Sequence, residues 1–106
     1  MFRYLFILFC FIFSSLFSLH GQTLNIAKNK LAKQSSTTTE GGSANLAVDN
    51  NIDGNFNNGS VTKTNNEANA WWQVDLEEKA AINLVKIYNR TDAFSERLSN
   101  FYIFFS

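Results

Sequence analysis

The sequence predicts an all-β fold, a sandwich with long loops gathered at one end, and three observations carry the prediction. Residues 71–76, WWQVDL, alternate so that Trp72, Val74 and Leu76 share one face while Trp71, Gln73 and Asp75 share the other, the period-two mark of a half-buried strand. Residues 49–69 are crowded with Asn, Gly and Asp, side chains that tolerate left-handed backbone or bond their own main chain, and so read as loop. Proline is absent, and no stretch sustains the 3.6-residue period of a helix. Short apolar runs separated by long polar connections suit a sandwich.

Taken in order, residues 1–21, MFRYLFILFCFIFSSLFSLHG, read as a secretory signal peptide. Arg3 gives a positive start, an apolar run extends from Tyr4 to Phe13, and serines follow, with cleavage expected after Gly21. That run is shorter than the roughly 20 residues a bilayer requires, so no membrane span is expected once it is removed. Cys10 lies inside the run and not after it, which argues against a lipid anchor. The protein is thus expected to be secreted or displayed at the cell surface.

Residues 22–106 form the expected domain. TLNIAKNKLAKQSST reads as a short opening strand followed by a polar, extended stretch, and GGSANLAVD as one short helical turn with Ser43 as its cap. After the 49–69 loop and the WWQVDL strand, Glu77 and Glu78 read as turn residues. AINLVKIYNR (81–90) reads as a second strand, with Val85, Ile87 and Asn89 on the face opposite Lys86, Tyr88 and Arg90. NFYIFFS (100–106) reads as a third. An apolar strand that stops without a polar tail leads us to expect a domain cut at its C-terminus, within a longer protein.

The one cysteine and the one histidine, Cys10 and His20, both fall in the signal segment. Within 22–106 this excludes disulfides, thiol nucleophiles, His general bases and zinc sites built on either residue. Eight Lys and Arg face nine Asp and Glu there, with no basic run, which argues against nucleic acid as a partner. No carboxylate pair is marked as a glycosidase acid and nucleophile: Asp75 sits on a strand, with Glu77 and Glu78 at its end. No catalytic function is expected.

Two constellations remain. Arg90, Asp92 and Arg97 crowd the connection between two apolar runs. A guanidinium fork suits neighbouring hydroxyls or a carboxylate, and Asp92 could orient one arginine, but spacing alone favours an exposed ion pair worth about 0–1 kcal/mol. The loop DNNIDG places Asp49, Asn51, Asp53 and Gly54 as an EF-hand loop would, yet Ser60 stands where the closing Glu belongs. Its oxygen density leaves a calcium site of another geometry open. Sequons occur at Asn58 and Asn89.

The ordered segments NIAKNKLAKQSSTTTEGGSANLAVDNN, SVTKT, WWQVDL and INLVKIYNRTDAFSERLSNFYIFFS resemble the fucolectins, or F-type lectins, of the galactose-binding-like, discoidin (coagulation factor 5/8 type C) group. The resemblance implies a jelly-roll β-sandwich and a non-catalytic module recognising fucose- or galactose-type glycans. Such lectins grip fucose with a His and with two Arg in an R-x-D-x4-R/K motif, which Arg90, Asp92 and Arg97 fit. Lys63 stands where the His is expected, and Ala93 and Phe94 stand where many relatives carry adjacent cysteines, so Phe94 becomes the implied apolar contact. The resemblance also implies a structural Ca2+, with Leu46 (by its carbonyl), Asp49, Asn51 and Ser60 as ligands and an acidic ligand from near the domain's C-terminus. Alternative readings are a discoidin-like adhesion domain binding a protein or surface, and a targeting module of a larger secreted hydrolase.

Overall fold

The structure is a computed structural model and describes residues 2–5, 13–14, 20–21 and 24–106. Its centre is a strand of nine residues, Trp72–Ala80, flanked by two shorter strands in one three-stranded sheet. In chain order the strands are β1 (Phe2–Leu5), β2 (Phe13–Ser14), β3 (His20–Gly21), β4 (Leu31–Gln34) and β5 (Trp72–Ala80). β5 lies between β1 and β4, antiparallel to both, while β2 and β3 pair separately. Single 3₁₀ turns occupy Ala44–Ala47, Phe56–Asn58 and Ser95–Arg97.

The alternation read in WWQVDL is realised. Trp72, Val74 and Leu76 are buried on one face, whereas Trp71 remains 45% exposed. The register sets Ala32 opposite Val74 and Gln34 opposite Trp72. Ala27 and Val48 complete the buried cluster, and Ile26, Ala32, Ala44, Ala80, Ile82, Val85 and Ile103 pack around it. Burying side chains such as Val and Leu stabilises by about 1.5–3 kcal/mol each. The Trp72 indole N–H donates to the Ala44 carbonyl at 2.8 Å, fastening the first 3₁₀ turn to the sheet.

Some elements differ from expectation. Glu77 and Glu78 lie within β5 and not in a turn. The Asp75 carboxylate accepts the Glu77 N–H at 2.8 Å, Glu77 takes φ 68°, and the register with β1 shifts at this point, which makes a bulge. Residues 81–90 contain one isolated bridge residue, Lys86, and 100–106 contain no strand. Their apolar side chains do reach the core, at Ile82, Val85 and Ile103. A pattern of side chains supplies a face, but a strand also needs a neighbour for its N–H and C=O groups, and the described residues provide none here. Ser43 does not cap the first 3₁₀ turn; its hydroxyl donates to the Asn45 side-chain oxygen at 2.7 Å.

The segment read as a signal peptide is described only at Phe2–Leu5, Phe13–Ser14 and His20–Gly21, all extended. The rest of it, with Cys10, and the expected cleavage after Gly21 lie outside the described residues. Among the described residues no helix is long and apolar enough to cross a membrane.

Candidate functional site

Two glycines bring the loops of one end together. The Gly54 carbonyl accepts the Thr91 N–H at 2.9 Å, and a β-carbon on Gly54 would stand 2.6 Å from Thr91 Cγ2, so only glycine permits this approach. Gly42, at φ 88°, meets the Lys63 backbone as closely: its carbonyl accepts the Lys63 N–H at 2.8 Å, and a β-carbon would lie 2.6 Å from that nitrogen. These contacts set the Asn-rich loop, the 61–67 segment and the 88–98 segment around one cleft of about 810 Å³.

Lys63, Arg90, Phe94 and Arg97 all line this cleft. Asp92 stands behind Arg90 and takes it in a two-point grip, Nε to Oδ1 at 2.6 Å and Nη2 to Oδ2 at 2.8 Å. The two side chains keep only 16% and 18% of their exposure, so this is not the open surface pair that spacing suggested. The Arg90 guanidinium holds the Asp92 carboxyl far below the usual carboxylate range, and the same bond raises Arg90. Asp92 therefore fixes the plane of the Arg90 guanidinium at the edge of the cleft.

Phe94 holds φ 57° and ψ 27°, a left-handed conformation that costs a non-glycine residue about 1–2 kcal/mol. It persists because the segment is tied on both sides: the Phe94 carbonyl accepts the Arg97 N–H at 3.1 Å, and the Asn89 side chain donates to the Ser95 carbonyl at 2.8 Å. Its ring then meets both arginines, with Arg97 at 3.8 Å and Arg90 at 5.3 Å from the ring centre. Among the described residues Arg97 has no carboxylate partner, so its fork of donors is open to a ligand.

Phe56 was not singled out by the sequence. Its ring carries Arg90 at 4.7 Å and Lys63 at 4.9 Å, so rings and cations alternate from Lys63 to Arg97. The available signal was one aromatic within a run of Asn and Gly, where no core position calls for it. Glu40, whose carboxylate accepts from the Lys63 ammonium, was missed as well. Lys63 holds the Glu40 carboxyl below its ordinary range.

The calcium candidates gather less completely. Leu46, Asn51 and Ser60 line a second cavity of about 230 Å³, together with Asp53, while Asp49 does not. Asp49 Oδ1 accepts the Asn51 N–H at 2.8 Å, and Asn51 Oδ1 accepts the Asp53 N–H at 3.0 Å, so both side chains brace the loop. Buried Ser60 donates to the Asp53 carbonyl. These are oxygen donors of the kind a hard cation takes. Among the described residues, however, no three acidic or His/Cys side chains converge as a metal site would need. The donor set fits calcium in kind and falls short in number.

A domain of strands with almost no helix, its end loops enclosing a cleft of alternating rings and cations, is consistent with the galactose-binding-like β-sandwich class. The chain matches the family described as "NedA-like, galactose-binding domain" over residues 46–106, and it belongs to that family. It is 46% identical over 56 residues to a fucolectin of Anguilla anguilla, covering 53% of this chain and 35% of that protein. With fucolectin-1 of Anguilla japonica it shares 38% identity over 79 residues, 71% of this chain and 44% of the relative. A solved structure described as a Streptococcus pneumoniae fucose binding module superposes with a TM-score of 0.70 at 55% identity, covering 73% of this chain and 54% of that one. The chain thus matches less than half the length of each of these two curated relatives.

Proposed function

We propose that this chain is a non-catalytic, lectin-type carbohydrate-binding module of a secreted or cell-surface protein, and that it takes fucose- or galactose-type glycans. The observation that carries this reading is the convergence of Lys63, Arg90, Phe94 and Arg97 on one cleft, with Asp92 fixing Arg90 from behind. Arg90 and Arg97 donate to neighbouring sugar hydroxyls, Lys63 adds a further donor, and the Phe94 ring receives the apolar face of the sugar. The relatives named for fucose support the choice of sugar. Full-length protein on a glycan array is expected to mark fucose- or galactose-terminated structures; an array without a signal would overturn the reading.

Phe94→Gly separates binding from folding. Glycine adopts the left-handed backbone without penalty, so thermal stability is expected to hold or rise, while glycan affinity falls with the loss of the ring. A variant that loses both together would contradict the role given to Phe94.

Among the described residues no histidine lines the cleft. Asp92 and Glu40 are both depressed carboxyls, so their contribution is fully present above the ordinary carboxylate value and is lost only as pH falls through the folded value. Glycan affinity is therefore expected to stay flat between about pH 5 and 8 and to weaken only below about pH 4. A titration curve with its midpoint near neutrality would count against this site.

Calcium is proposed for the full-length protein, held by the Leu46 carbonyl, Asp49, Asn51 and Ser60 with a further acidic ligand. Bound calcium would draw the 49–60 loop onto a fixed charge. At about a hundredfold excess over the dissociation constant it would stabilise the fold by about 2.7 kcal/mol. Calcium titration followed by thermal melting checks this, and an unchanged melting temperature would sink it.

A further inference from the structure

We propose that Glu40 is a specificity-determining residue of the cleft: by pairing with Lys63 it keeps the site electrically balanced and so favours uncharged sugars over sulfated or carboxylated ones. This rests on the carbohydrate reading above and deepens it.

Glu40 sits in a turn built against Lys63. Thr38 and Gly41 form a bridge, with the Gly41 N–H donating to the Thr38 carbonyl at 3.1 Å and the Thr38 hydroxyl donating to the Gly41 carbonyl at 2.8 Å. The next residue, Gly42, takes the Lys63 N–H, and its missing β-carbon is what lets the two backbones meet. Lys63 is therefore held to this turn by its main chain, at Gly42 and Thr38, and by its ammonium at Glu40. The Glu40 side chain is 66% exposed, so the core does not require it.

The charges that face the cleft then balance. Lys63, Arg90 and Arg97 bring three positive charges; Glu40 and Glu67 line the same cleft, and Asp92 stands behind Arg90. Glu67 is held by the hydroxyls of Ser35 and Ser36, each at 2.6 Å, and Asp92 by Arg90, so Glu40 is the carboxylate that offsets Lys63. A neutral sugar meets this cleft as a set of hydroxyl acceptors and donors. A sulfate or carboxylate gains little at Lys63 while Glu40 sits beside it. Removing the Glu40 charge leaves one uncompensated cation, and at about 4 Å in water one such charge corresponds to about fivefold in affinity.

The test titrates full-length wild type, Glu40→Gln, Glu40→Asp and the double variant Glu40→Gln/Lys63→Gln at low ionic strength. The ligands are a neutral fucose-terminated trisaccharide and the same trisaccharide carrying one sulfate ester. Glu40→Gln is expected to shift the affinity ratio about fivefold toward the sulfated sugar, with the shift shrinking as salt is added. Glu40→Asp, which keeps the charge, and the double variant, which restores the balance, are both expected to return the wild-type ratio. A purely structural role for Glu40 would not produce that return. An unchanged ratio in Glu40→Gln, with both sugars still bound, overturns this inference alone. A wild type that binds neither sugar overturns the carbohydrate reading and this inference with it.

Discussion

Replacing Arg90 by alanine is expected to lower glycan affinity at least about tenfold, the scale set by hydrogen bonds to a charged group that are formed only with the ligand. The reason lies in the pairing with Asp92. The grip through Nε and Nη2 fixes the plane of the guanidinium before any sugar arrives, so its other donors are already aimed. Arg90→Lys separates charge from geometry, because a lysine keeps the positive charge and loses the fork. It is expected to bind more weakly than wild type and to leave Asp92 without its two-point partner. Equal binding by wild type and Arg90→Ala would remove Arg90 from the site.

A second large effect is expected in the core. Trp72 is 8% exposed, packs with Val74 and Leu76, and donates its indole N–H to Ala44. Trp72→Ala is expected to destabilise by about 3–5 kcal/mol, a large fraction of a domain's usual 5–15 kcal/mol. The neighbouring Trp71→Ala supplies the contrast. Its side chain is 45% exposed, and the contacts it makes with Ser35 run through its backbone, which alanine preserves. That variant should stay within about 0.5 kcal/mol of wild type in a denaturant titration. Similar losses at the two positions would mean that the face of β5 has been misassigned.

How far the chain could be read from its residues depended on which interactions were local. The period-two pattern at 71–76 is local, and it placed Trp72, Val74 and Leu76 inward and Trp71 outward as found. Asn and Asp chemistry marked 49–69 as loop for the same reason, since the Asp49, Asn51 and Asn55 side chains accept from backbone N–H groups two residues on. Strand pairing is not local. The apolar runs 81–90 and 100–106 pack inward only at Ile82, Val85 and Ile103, while Leu84, Ile87, Tyr102 and Phe104 stay exposed, and the described residues supply no neighbours that would make a ladder. In the cleft, the spacing of Arg90, Asp92 and Arg97 announced a possible clamp but could not say that the Arg90–Asp92 pair is largely covered. Glu40 and Phe56 were not legible at all, because they reach the site through Gly42 and Gly54, two close backbone approaches that no short motif encodes.

The most direct test of the cleft as a sugar site is a crystal structure of the full-length protein with a fucose-terminated oligosaccharide. The terminal sugar is expected between Lys63 and Arg97, with its hydroxyls on the Arg90 and Arg97 donors and an apolar face on Phe94. A sugar bound away from this cleft, with Arg90 and Arg97 contacting only solvent, would contradict the account.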